Sequence, residues 1–229
     1  MKFGASVPLY NREWYIGPFL EQMIEVGVKP VVALSEIPFA NEGKDEPKEP
    51  DRSEEIVRRF FPEVEIVKGR FSHHRDSMRA GIERLKDHEI VFVNDCDIFM
   101  TTEDWRKLFK FIEENFQNSD VFSYDFMTIG REYYHDYRFG TGVRPGGYPP
   151  IMGLKPNIGI NTMVATDGGR HLTWDDLTAT VHHLRFCKGK YGGGDLYEKA
   201  PESNLHNYTV APDEIVNRFK KWEKIIETI

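Results

Sequence analysis

Two aspartates stand one residue apart at the end of an apolar run, Ile90-Val91-Phe92-Val93-Asn94-Asp95-Cys96-Asp97. Carboxylates in that spacing suit a hard divalent cation. Mg²⁺ and Mn²⁺ accept oxygen ligands and are held by one or two protein carboxylates, with substrate phosphates completing the shell. The plainer reading is a turn capped by Asp97 with Asp95 in solvent. A second set is Val181-His182-His183-Leu184-Arg185, an apparent strand end. Adjacent strand residues point to opposite faces, so one of His182 and His183 is expected to join Asp95 and Asp97 as a ligand. Arg185, on the face of His183 if the strand continues, would reach a phosphate. Thirdly, Arg75 and Arg79 lie four apart near the start of a helix, sharing a face suited to a phosphate or a base.

The elements that must position these groups alternate. Strand signals at 3–9, 30–34, 63–67 and 90–94 are separated by helical patterns, and Thr101 or Thr102 caps a further helix carrying Trp105, Leu108, Phe109 and Ile112. Such alternation implies an α/β fold with a mainly parallel central sheet flanked by helices, in which ligands bind beyond the carboxyl ends of the strands. Asp95 and Asp97 sit at such an end. After residue 121 the alternation loosens. A strand at 121–126 precedes a Gly-, Pro- and Tyr-rich stretch at 131–150. Further strands are expected at 159–165 and over 171–184, the latter folded as a hairpin at Asp175–Asp176. Residues 187–195 read as a flexible, lid-like loop, and 213–229 as an amphipathic helix.

The 229 residues suffice for one sizeable core, and a net charge of −7 argues against a duplex nucleic-acid surface. Only two cysteines occur, one between the aspartates, which favours a reducing compartment, and no signal-peptide or membrane-spanning run is evident. A cytoplasmic location is expected. The C-terminal helix sets an apolar stripe beside Arg218, Lys220, Lys221 and Lys224. That pattern suits docking on its own domain, with peripheral membrane contact or homodimerisation as alternatives.

Taken in order, "SVPLYNR" (6–12), "RDSMRAGIERL" (75–85), "VNDCD" (93–97) and "ATVHHLR" (179–185) resemble the GT-A-fold glycosyltransferases, closest in pattern to family 2. The resemblance covers roughly residues 3–190. It implies a catalytic domain over 1–210, with a nucleotide-binding half at 1–125 and an acceptor half at 126–210, followed by the helix from 211. It further implies metal-dependent transfer of a sugar from a nucleotide-diphosphate donor to a carbohydrate or other hydroxyl acceptor. Asp95 and Asp97 would bind the ribose and the metal-bridged diphosphate. Pro8, Tyr10 and Arg12 would line the nucleotide pocket, and His182 or His183 would complete the metal site. The tyrosine-rich stretch at 131–150 is the candidate acceptor wall.

The sequence departs from the family at the general base. Its inverting members carry an acidic pair at the head of a helix, some tens of residues before the histidine. Here the only pair in that region is Asp175–Asp176. A strand over 177–183 would hold that pair ~23 Å from His183, too far for one site. Asp125 and Asp195 are therefore expected to be the better candidates, with inversion or retention open. Rival readings are a nucleotide-sugar-binding module without turnover, a phosphatase of the D-x-D type, and a sugar nucleotidyltransferase. The phosphatase expects its motif near the start of the chain, and the nucleotidyltransferase expects a glycine-rich loop that "VPLYNREWYIG" lacks.

Overall fold

The structure is a computed structural model that describes residues 1–39, 50–93, 95–125, 132–134, 138–140, 151–162, 165–175, 177–184 and 210–229, the segments at 132–134 and 138–140 as backbone only. A seven-stranded sheet runs through the molecule in the order β12-β6-β9-β4-β1-β2-β3. Its strands are β1 Phe3–Leu9, β2 Lys29–Ser35, β3 Glu65–Gly69, β4 Ile90–Phe92, β6 Val121–Tyr124, β9 Ile151–Leu154 and β12 His171–Trp174. All neighbouring pairs are parallel except those of β9, which runs antiparallel between β4 and β6. The α/β class with a mostly parallel sheet is thus the fold of this chain. Because β9 alone is reversed, β6 and β12 point the same way as β4, and the ends of all three open on one edge.

The apolar run of β4 is buried on both faces, as a strand covered by helices on each side must be. Ile90 and Phe92 point into one core with Phe3, Ala5, Val7 and Leu9 of β1. Val91 and Val93 point into the other, with Val31, Met78 and Ile82. The first core is closed by α1 Glu13–Glu25, α2 Ser53–Phe60, α4 Thr102–Asn115 and α5 Asp213–Ile226. The second lies under α3 His74–Glu83. Thr101 caps α4, its hydroxyl accepting from the Asp104 N–H at 3.1 Å.

Helix α3 sits unusually close to β1. A methyl group at Gly81 would overlap the Ser6 hydroxyl and stand 2.9 Å from Ser6 Cβ and 3.3 Å from its Cα. Ser6 fixes the approach by donating to the Met78 carbonyl at 2.8 Å, and Ser77 anchors the same helix to β2 by donating to the Ala33 carbonyl at 2.9 Å. The Gly-Ile step of "RAGIERL" is therefore a packing device that sets where the start of α3 falls.

The C-terminal helix spends its stripe inside its own domain. Ile215, Phe219, Trp222 and Ile226 are buried in the first core, Arg218 pairs with Glu25, and Lys221 donates to Glu21 at 2.8 Å. The apolar face offered to a membrane or a second copy is thus already covered by α1. Among the described residues no helix is long and apolar enough to cross a membrane.

Two sequence expectations change. The strand at 159–165 is a short pair, β10 Ile160–Thr162 with β11 Ala165–Thr166. The segment 171–184 is not a hairpin. Its first part, β12, joins the main sheet parallel to β6. Its last part, β13 His182–Leu184, lies in a second sheet ordered β5-β13-β7-β8, with β5 Ile98–Phe99, β7 Glu132–Tyr134 and β8 Arg138–Gly140. The β-branched residues at 178, 180 and 181 suggest a strand, but a turn intervenes. Its backbone bonds are satisfied locally, with Thr178 N–H and Ala179 N–H donating to the Asp175 carbonyl.

At the opposite edge of the sheet Asp120 ties three strand ends together. It accepts from Arg170 Nε at 3.0 Å and from Lys155 Nζ at 2.8 Å, and Lys155 lies over the Phe116 ring. The hydrogen bonds from Arg170 and then from Lys155 hold its carboxyl below the usual carboxylate range. A carboxylate with a depressed folded-state pKa stabilises above the unfolded value of about 3.9 and loses that contribution as pH falls through the folded one. Asp120→Asn should lower Tm by about 2–4 °C at pH 6–7. The gap to wild type should close below about pH 4, in Tm measured against pH. A constant gap down to pH 2 would contradict the ion-pair account.

Candidate functional site

A narrow cleft opens at the carboxyl edge of β1 and β4, lined by Pro8, Tyr10, Arg12, Phe39, His74, Asp95, Cys96 and Asp97. Each wall has a local cause. Pro8 and Tyr10 come from the end of β1, where the chain turns through Asn11 in the left-handed region at φ 49°. Asparagine tolerates this conformation better than most side chains. The Arg12 guanidinium folds back on that turn, its Nη1 donating to the carbonyls of Tyr10 at 3.3 Å and Asn11 at 3.1 Å. Phe39 packs edge-on to both Tyr10 and His74, the second pair with ring centres 4.1 Å apart. His74 is the first residue of α3, and its Nδ1 lies 3.9 Å from Asp95 Oδ1.

The aspartates leave β4 on a short turn that returns as β5, and β5 pairs antiparallel with β13, His183 opposite Ile98. The Leu184 N–H donates to the Asp97 carbonyl at 2.8 Å. This pairing brings together residues 86 apart in sequence: His183 Nε2 stands 3.1 Å from Asp97 Oδ2. His182, on the other face, is buried at 2% exposure. Asp95 is the more open acid, 37% exposed at its side chain against 25% for Asp97. Between them Cys96 is buried, and burial, then the Asp97 charge, pushes its thiol well above the ordinary value. It is therefore a packing residue that stays protonated.

The donor set can be tested against a divalent cation. Asp97 Oδ2 and His183 Nε2 form a hydrogen-bonded pair at 3.1 Å, and neighbouring ligands of an octahedral ion bound at ~2.1 Å would stand about as far apart, ~3.0 Å. Among the described residues no group of three or more His, Cys, Asp or Glu side chains is arranged to hold a metal ion. Two protein ligands fit an ion whose remaining positions are filled by substrate oxygens and water, and do not make a closed structural site.

Other expected residues fall elsewhere. Arg79 is not directed to the cleft: its Nε donates to the Ile160 carbonyl at 2.9 Å and its Nη2 to Asn161 Oδ1 at 3.1 Å, tying α3 to β10. Arg75 pairs with Asp76 at 3.4 Å and does not line the cleft. Asp125 ends β6 on the same edge as Asp95 and Asp97, two strand spacings from β4, or ~10 Å. Arg185 and Asp195 lie outside the described residues, as does the 187–195 loop. The backbone of β7, from the tyrosine-rich stretch, runs parallel to β13 with Glu132 opposite His183.

No strand spans 177–183 to hold Asp175 away from His183, because a turn replaces its first residues. Asp175 ends β12 on the same edge, its Oδ1 accepting from the Leu177 N–H at 3.0 Å. Sequence reading also missed Phe39 and His74. The signal for His74 was one residue before Arg75, at the helix start rather than along its face.

No family model and no curated protein matches this sequence. Among solved structures, the chain is similar to S. aureus TarS 1–349, at 19% identity and a TM-score of 0.42, over 63% of this chain and 38% of that one. The same protein in complex with UDP-GlcNAc is matched at 18% identity and 0.41, over 64% and 37%. HddC from Yersinia pseudotuberculosis, complexed with GMP-PN, is matched at 13% identity and 0.43, over 79% and 93%. The chain thus spans little more than a third of the TarS fragment, and likenesses at these scores assign neither a family nor a reaction.

Proposed function

We propose that the cleft binds the diphosphate of a nucleotide sugar through a divalent cation and that the protein transfers the sugar to a hydroxyl acceptor. The observation that carries this reading is the Asp97–His183 pair at 3.1 Å, at the carboxyl edge of a parallel sheet and beside the Pro8–Tyr10–Arg12 wall. Asp97 and His183 would hold Mn²⁺ or Mg²⁺, which supplies charge neutralisation to the departing nucleoside diphosphate. Asp95, the more exposed acid, is placed to accept hydrogen bonds from ribose hydroxyls. Tyr10 and Phe39, both buried, shape the apolar side of the cleft against which a base would pack. Arg12 supplies positive charge at the cleft floor.

The acceptor side lies toward β6, β12 and β7. Asp125 is our candidate for the carboxylate that takes the acceptor proton, being one strand nearer to β4 than Asp175. Asp195 remains a proposal from sequence alone. A general base contributes about 10²–10⁴-fold, so Asp125→Asn should cut transfer by that much while leaving donor binding unchanged. If Asp175→Asn does so instead, the base belongs to β12.

The test of the whole reading is a thermal-shift panel of UDP, GDP, CDP and dTDP sugars with and without Mn²⁺. A ligand at 100 Kd stabilises by about 2.7 kcal/mol, which for a chain of this length is a shift of about 5–10 °C. At least one nucleotide sugar is expected to give such a shift only with metal. Uniform failure of all four with metal present removes the proposal. Binding without turnover of any acceptor would leave a nucleotide-sugar-binding module.

A further inference from the structure

We infer that Asp51 is a positioning residue for the cleft, locking the turn that carries Tyr10 and Arg12 to the start of α2. This rests on the nucleotide reading of the cleft. The lock is a set of crossed caps between two helix N-termini. Helices α1 and α2 each begin at an arginine, Arg12 and Arg52, whose side chain does not cap its own helix. The free N–H groups of one helix are instead satisfied by side chains of the other. The Glu13 N–H donates to Asp51 Oδ2 at 2.9 Å, and the Arg12 N–H to Ser53 Oγ at 2.9 Å. In return the Asp51 N–H donates to Asn11 Oδ1 at 2.9 Å, and the Arg52 N–H and Nε to Glu13 Oε2 at 3.3 and 3.1 Å. Asp51 Oδ1 also accepts from the Ser53 N–H at 2.8 Å, so both its oxygens are committed.

The position of this lock ties it to the cleft. It grips residues 11–13, and the residues on either side of Asn11, Tyr10 and Arg12, are cleft walls. Asn11 holds a left-handed φ of 49°, a conformation that persists where surroundings over-determine it. Its side chain accepts from the Asp51 N–H. The Asp51 carboxyl is half-buried, and its desolvation outweighs its hydrogen bonds in raising its pKa. A carboxylate with both oxygens committed to backbone N–H groups of two helix starts does more than helix packing, which Tyr15, Ile16, Ile56 and Val57 already supply from the shared core. Releasing it leaves two amide donors without acceptors and lets the turn relax toward an ordinary φ. Both walls then move.

The experiment compares wild type, Asp51→Asn, Asp51→Ala and Asp97→Ala by residue-resolved amide hydrogen exchange and by calorimetric binding of UDP, GDP, CDP and dTDP with Mn²⁺. Asp51→Asn keeps the volume, but its amide turns a donor toward one of two N–H groups. In both Asp51 variants the Arg12 and Glu13 amides should exchange at least about 10-fold faster, with amides of β1 and β2 unchanged, a fall of about 1.4 kcal/mol in local opening free energy. The Kd of the diphosphate that wild type binds best should rise by about the same factor. Asp97→Ala should lose binding with no change in exchange at residues 11–13. Unchanged exchange at Arg12 and Glu13, or acceleration spread evenly through α1 and β1, overturns the inference. So does local acceleration with an unaltered Kd. A wild type that binds no diphosphate overturns the nucleotide reading instead, and the exchange pattern then decides on the lock by itself.

Discussion

On the proposed function, Asp97→Ala is expected to abolish Mn²⁺-dependent stabilisation by a nucleotide sugar and to lower transfer at least about 100-fold, while the unliganded Tm should fall by no more than about 3 °C. The large functional effect follows from the pairing of Asp97 with His183 at 3.1 Å. If Asp97 and His183 are the two protein ligands proposed, a cation that loses Asp97 is left with a single imidazole, and carboxylate oxygen is the donor that Mg²⁺ and Mn²⁺ prefer. The small structural effect follows from exposure. The Asp97 side chain is a quarter exposed, so the His183 ring it leaves behind can turn to water. Asp97→Asn separates charge from shape, because an amide oxygen still accepts from His183 yet carries no charge. It should behave as the alanine variant does in metal-dependent binding and as wild type does in Tm. His183→Ala should weaken metal dependence in the same direction. Retention of metal-dependent nucleotide binding by both Asp97 variants would falsify the assignment of this pair as the cation anchor.

The second large effect is on stability. Gly81→Ala should destabilise the protein by about 2–4 kcal/mol, combining an overpacking cost of about 1–3 with loss of a buried hydrogen bond. The new methyl overlaps the Ser6 hydroxyl and presses on Ser6 Cβ at 2.9 Å, and that hydroxyl is the one holding α3 to β1 through Met78. In a chain of 229 residues the corresponding fall in Tm is roughly 5–15 °C. Ser6→Gly removes both side-chain atoms from the contact, so the double variant should recover about 1 kcal/mol or more relative to the sum of the singles. Additive effects, measured by denaturant unfolding, would show that the close approach of α3 is not the cause. Because α3 begins at His74, any retreat of the helix also moves a cleft wall, and Gly81→Ala should weaken nucleotide binding beyond what unfolding explains.

Different parts of the chain were legible to different degrees. The buried strand and its two terminal acids were readable, because a both-faces-apolar run followed by carboxylates has few structural uses. The spacing of Arg75 and Arg79 was less informative, because helical spacing shows that two residues share a face but not which surface that face meets. Arg79 meets the Ile160 carbonyl, and the cleft takes His74 instead. The hairpin at Asp175–Asp176 failed for a related reason. Alternating Thr and Val favour extended backbone, yet whether the extension pairs on itself or crosses to another sheet depends on which open edges lie nearby. The lock at Asp51 left almost no trace, since "PDRS" reads as any polar helix start until its partner turn is known.

The sequence by itself determined the class of fold and the edge at which chemistry would lie. Those follow from local rules: hydrophobic periodicity sets strand and helix, and chain direction in a parallel sheet sets which ends carry ligands. Only the tertiary structure decided which histidine meets Asp97, that Asp125 and Asp175 share that edge, and that two helix starts cap each other beside the turn carrying Tyr10 and Arg12. Each of these is a contact between residues tens of positions apart, fixed by strand pairing and close packing. The order of residues along the chain does not encode such geometry at any one site.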